Sequence, residues 1–137
     1  QAQFIARPVA DRENGRFAAL FDWARDRLGE RISVDRMAAE AAMSRRSFVR
    51  RFEAATGTTP GEWLIGERVR RASDLLETTG LGVERVATEC GFGSAEALRH
   101  HFRTRLGISP TAYRRQFARV GMPDGSRLSA TASLRPG

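Results

Sequence analysis

Apolar residues recur along this chain at helical spacing, and no segment alternates long enough to make a strand. Phe17, Leu20, Phe21, Ala24 and Leu28 fall at i, i+3, i+4, i+7 and i+11, which predicts an amphipathic helix over roughly Arg16–Leu28. Ser33 is placed to cap a short helix that turns Val34, Met37, Ala38 and Ala41 inward. A second helix starts near Ser44, sets Phe48 and Phe52 one turn apart with Arg45, Arg46, Val49 and Arg50 outward, and stops at Gly57. Thr59-Pro60-Gly61-Glu62 then supplies an N-cap, a proline at the first helical position and a capping-box glutamate. The helix it opens runs to about Thr78 with Trp63, Ile65, Val69, Ala72, Leu75 and Leu76 as its stripe, until Gly80 and Gly82 break it. Three more follow: Val83–Cys90, then Ser94–Leu106 around Leu98 and Phe102, then a short one opened by Ser109-Pro110 and ending at Phe117. The expected fold is all-α, with about seven helices.

The same unit occurs twice. Phe52, Gly57, Pro60 and Trp63 find Phe102, Gly107, Pro110 and Tyr113 at an offset of 50, while Val34 to Glu40 face Val83 to Glu89 at 49. One residue has been added in the second turn, near Gly93-Ser94. A short helix joined by a tight turn to a longer one is the helix-turn-helix pattern. Gly91 suits the left-handed backbone that ends the first helix of the second copy, after which Phe92 is expected to return to the core. Ala42 and Met43 hold these places in the first copy, and an alanine there costs about 1 kcal/mol. The expected organisation is a lead at 1–15, a helix-turn-helix subdomain at 16–58, a linker helix at 59–79, a second subdomain at 80–117 and a disordered tail at 118–137. At 1.5 Å per residue the linker helix is about 28 Å long. Neighbouring major-groove faces are ~34 Å apart, so two reading heads on one side of a duplex are expected.

Charge narrows the partner. The net charge is +7, and all 23 basic residues are arginine, which favours nucleic acid over other anionic surfaces. No apolar run approaches the ~18 residues of a membrane span, and no signal segment opens the chain. Residue 1 is Gln rather than Met, so a piece of a longer cytosolic protein is expected. One cysteine, Cys90, excludes an internal disulfide and a multi-cysteine metal site.

The stretches "VDRMAAEAAMSRRSFVRRFEAATGTTPGEWL" and "VATECGFGSAEALRHHFRTRLGISPTAYRRQF" resemble the two halves of the AraC/XylS-type DNA-binding domain, over about Arg16–Phe117. The opening "QAQFI" and the first turn are similar to the GlxA-type branch, whose members carry a class I glutamine amidotransferase-like domain ahead of this part. The resemblance implies a bacterial transcription regulator acting on a double-stranded DNA operator in the cytoplasm, at the nucleoid. It implies two homeodomain-like heads, each putting its second helix (about 45–56 and 94–106) into the major groove. Base-reading roles fall on Arg46, Val49 and Arg50, with Arg45 beside them, and on Ala95, Glu96, Arg99 and His100. Phosphate contacts are expected of Ser44, Arg51, Thr58, Thr59, Arg103, Arg105, Ser109 and Thr111. Contact with RNA polymerase and homodimerisation through the absent N-terminal domain go with it.

Each of these residues also has a plainer role. Thr58, Thr59, Ser109 and Thr111 sit at helix starts, where capping comes first. Arg51 is equally a salt-bridge partner for Glu53 or Asp74. Arg70, Arg71, Arg114 and Arg115 read as surface charges, and Trp63 and Tyr113 as core anchors. His100 and His101 point about 100° apart on a helix and do not chelate one ion well. Cys90 matches Ala41 and reads as a small buried hydrophobe. No triad, phosphate loop or zinc pattern is present, so neither enzyme nor cofactor is expected. Two rivals stand beside sequence-specific reading: an architectural binder with no sequence preference, and a module that docks on protein partners.

Overall fold

The computed structural model describes residues 15–119, and among these residues there are seven helices and no strand. They are α1 (15–25), α2 (Val34–Glu40), α3 (Arg45–Thr56), α4 (Pro60–Thr78), α5 (Val83–Glu89), α6 (Ala95–Leu106) and α7 (Pro110–Phe117). The lead before residue 15 and the tail after residue 119 lie outside the described residues. The chain forms two compact units, one up to Glu67 and one from Arg68.

In the first unit, α1, α2 and α3 bury Phe17, Leu20, Ala24, Met37, Ala38, Phe48 and Phe52. Phe17 meets the edges of Phe48 and Phe52 at 6.0 and 5.6 Å between ring centroids. Phe21 stacks on Trp63 at 4.6 Å, which anchors this indole at the edge of the core. The helix expected to reach Leu28 ends at residue 25, although Leu28 is buried. Arg27 explains the early stop. Its guanidinium takes the Trp23 carbonyl at 2.9 Å, and its N–H turns to Ala24, three residues back.

The second unit buries Val69, Ala72, Leu76, Val86, Ala87, Cys90, Leu98 and Phe102. Tyr113 packs its ring on Phe102 and Phe117, and its hydroxyl donates to Glu77. Burial pushes the Cys90 thiol up to about 11. Arg114, expected on the surface, is half-buried. Its Nε and Nη2 donate to the Leu76 and Thr79 carbonyls at 3.1 and 3.0 Å, satisfying orphan acceptors at the end of α4.

The single stripe expected on α4 is two stripes. Pro60, Leu64 and Glu67 are buried in the first unit, and Val69, Ala72 and Leu76 in the second. Leu64 therefore takes the buried place given to Ile65, which is half-buried like Leu75. Buried Glu67 accepts from Arg25 Nε at 2.9 Å, and that guanidinium lies 5.8 Å from the Phe21 and Trp63 ring centroids.

Candidate nucleic-acid interface

Each reading head begins with a turn, and the two turns are closed by the same bonds. Met43 N–H reaches the Ala38 carbonyl at 2.9 Å and Ala42 N–H reaches Ala39 at 3.0 Å. At an offset of 49, Phe92 N–H reaches Ala87 at 2.9 Å and Gly91 N–H reaches Thr88 at 3.1 Å. This is the Schellman arrangement, which needs a left-handed residue after the helix. Gly91 takes it at φ 86° without penalty, whereas Ala42 takes it at φ 59° with its Cβ strained. The first copy thus keeps the turn geometry without the glycine. Phe92, expected in the core, is half-buried and stacks on His101 with centroids 5.8 Å apart.

After each turn a serine starts the second helix. Ser44 Oγ accepts from Ser47 N–H at 3.2 Å, and Ser94 Oγ from Ala97 N–H at 3.0 Å. Phe48 and Phe52 anchor α3 from below, and Leu98 and Phe102 anchor α6. The remaining face of each helix is thereby fixed toward solvent.

On α3, Arg45, Arg46, Arg50 and Arg51 are all exposed. Arg46 and Arg50 lie one turn apart with Val49 beside them. Val49, expected outward, is half-buried and packs against the core, because a residue one position past Phe48 sits at the edge of the inward face. Arg45 holds an ion pair that sequence reading missed: its Nη1 lies 3.0 Å from Oδ1 of Asp35 on α2. On α6, Glu96, Arg99, His100, Arg103 and Arg105 are exposed and Ala95 is half-buried. Glu96 occupies the first turn and Arg103 and Arg105 the last, each on the side of the helix dipole that suits its charge. His100 is a near neighbour of His101 at 5.0 Å.

The hydroxyls at the helix starts do cap. Thr59 Oγ1 accepts from Glu62 N–H at 3.1 Å and Ser109 Oγ from Ala112 N–H at 3.1 Å. Thr58 differs: its N–H is taken by Thr56 Oγ1 at 3.2 Å, and its carbonyl accepts from that hydroxyl. Its backbone is occupied by the turn and has no donor left for a phosphate. Thr111 is exposed beside the Ser109 cap. Among the described residues no group of three or more His, Cys, Asp or Glu is placed to hold a metal ion, and no helix is long and apolar enough to cross a membrane.

A family model described as a helix-turn-helix domain matches residues 37–116, spanning both turns and both exposed helices. The DNA-binding domain of AdpA, a global transcriptional factor solved with a target DNA, superposes with a TM-score of 0.71. It is 49% identical, over 79% of this chain and 96% of that one. An AraC-type regulator structure from Chromobacterium violaceum superposes with a TM-score of 0.73 at 27% identity, over 79% and 96% of the two chains. The chain belongs to the AraC-type helix-turn-helix family. A transcriptional regulator of Mycobacterium tuberculosis is 42% identical over 94 residues, 69% of this chain and 36% of that protein. The transcriptional activator AarP of Providencia stuartii is 32% identical over 67% of this chain and 68% of its own length. The AraC-type chain described here therefore spans about a third of the Mycobacterium relative but about two thirds of AarP.

Proposed function

We propose that this AraC-type domain is the DNA-reading part of a transcription regulator, recognising a specific double-stranded operator with both α3 and α6. The observation that carries the reading is the exposed arginine face of α3, held outward by Phe48 and Phe52 within a duplicated helix-turn-helix. Arg46 and Arg50 are the bidentate readers, since a planar guanidinium matches the two major-groove acceptors of guanine. Val49 offers a methyl contact. On α6, Arg99 and His100 read, and the Glu96 carboxylate accepts from a cytosine amino group. The α3 segment from Ser44 to Phe52 carries four arginines and no acid, so the first head supplies more of the affinity and the second more of the discrimination. The two helices occupy successive major-groove segments. Ser44, Arg51, Thr59, Arg103, Arg105, Ser109 and Thr111 are the phosphate neighbours.

Contact with RNA polymerase, homodimerisation through a preceding domain, the GlxA-type branch and location at the nucleoid belong to the same proposal on the resemblance alone. The test is substitution at the readers. Arg46→Ala and Arg50→Ala each cost ~1–3 kcal/mol at a selected site and much less on random duplex. Equal losses on both would refute base reading by these two residues.

A further inference from the structure

The Asp35–Arg45 pair has no evident use as a stabilising contact. Both side chains are well exposed, at 72% and 61%, and lie 3.0 Å apart. An ion pair in that setting adds little to stability. The duplication makes the same point independently. In the second copy Glu84 matches Asp35 but Ala95 stands where Arg45 stands, and the α5–α6 turn closes with the same two backbone bonds. The fold does not require the pair.

Its position points elsewhere. Arg45 is the first residue of the candidate reading helix α3, whose first turn contains no acid. A cation there opposes the positive end of the helix dipole, and Asp35 supplies the missing negative charge from α2. A guanidinium has five donors in a rigid plane. With Nη1 on the carboxylate, the Nη2 and Nε donors keep a fixed direction instead of sampling the surface. Prior fixing lowers the entropy lost when a base is engaged. The carboxylate also repels phosphate, which weakens attachment to any duplex regardless of sequence.

We propose that Asp35 is a specificity-determining residue that acts through Arg45, holding one edge of its guanidinium so that the rest is presented to a base. Asp35 is a positioning residue and makes no base contact of its own. The inference rests on the DNA-reading function proposed above and adds how one of its side chains is aimed.

The experiment measures the affinity of the 137-residue chain for a selected site and for a scrambled duplex at about 150 mM salt, where non-specific attraction is largely screened. Asp35→Ala should lower the ratio of the two affinities about tenfold, the scale of one bidentate base contact, and strengthen scrambled-duplex binding. Asp35→Glu, which keeps the carboxylate, should retain most of the ratio. In an Arg45→Ala background, Asp35→Ala should leave the ratio unchanged, and Glu84→Ala should leave it unchanged in the native background. Should Asp35→Ala fold poorly, Asp35→Asn keeps the size and an acceptor while removing the charge, and the same drop is expected. A ratio that holds or rises without the Asp35 carboxylate overturns the proposal, as does an equal drop in the Arg45→Ala background. If the unaltered chain itself shows no preference between the duplexes, the DNA-reading function falls and this inference with it. A preference that survives loss of Asp35 leaves that function standing and removes only the inference.

Discussion

Two residues 49 apart carry the sharpest consequence of the duplication. Ala42 and Gly91 occupy the same left-handed place in the same turn, but only glycine does so without a Cβ penalty. Ala42→Gly should therefore stabilise the first unit by about 0.5–1 kcal/mol, the strain relieved less the added freedom of the unfolded chain. Gly91→Ala should destabilise the second by a similar or larger amount, and urea unfolding of both variants reads the two signs. Cys90 makes a prediction in pH. Burial raises its thiol from an ordinary 9.0 to about 11. Between those values the folded state keeps a proton that the unfolded chain has released. The stability it contributes is whole below the lower value and lost as pH rises toward the upper one. Cys90→Ala should flatten that decline when urea midpoints at about pH 8 and about pH 10 are compared. Alanine fills the equivalent place at Ala41, so the substitution is sterically mild.

At the scale of the helices, Arg114 ties α7 to the end of α4 by donating to the Leu76 and Thr79 carbonyls. Arg114→Ala should cost about 1–2 kcal/mol by leaving part-buried acceptors without these donors, and hydrogen exchange should rise first near Thr79. Arg115, its exposed neighbour, should be near-neutral when changed to alanine, and equal effects would contradict the assignment. Adjacent arginines look identical in a sequence; what separates them is which carbonyls lie within reach, a tertiary fact. The same limit hid Leu64 and Glu67. A single periodic stripe was legible on α4, but a helix that serves two cores changes its buried face partway, and a buried acid gives no hydrophobic signal. Helix starts and stops were legible because each rests on local chemistry: Ser33, Ser44, Ser94 and Ser109 as caps, and Gly57 and Gly107 as left-handed stops. The candidate site was legible in part. Knowing which residues face inward on α3 and α6 leaves the others outward, but Val49 sits at the margin and the Asp35–Arg45 pair depends on two helices meeting.

For the molecule as a whole, duplication supplies two heads of unlike character on one chain. One presents arginine almost alone; the other mixes Glu96, Arg99 and His100. With a net charge of +7, attraction to any duplex is assured and steeply salt-dependent, so affinity by itself says little about function. Selectivity is the quantity that matters. Selection by the 137-residue chain from a random-sequence duplex library, at about 150 mM salt, tests it most directly. The account predicts enriched sequences with fixed bases in two short clusters, one for each reading helix, bound about a thousandfold or more tighter than random duplex. A recovered pool indistinguishable from the starting library, with binding that follows salt alone, would contradict it and leave only electrostatic adhesion.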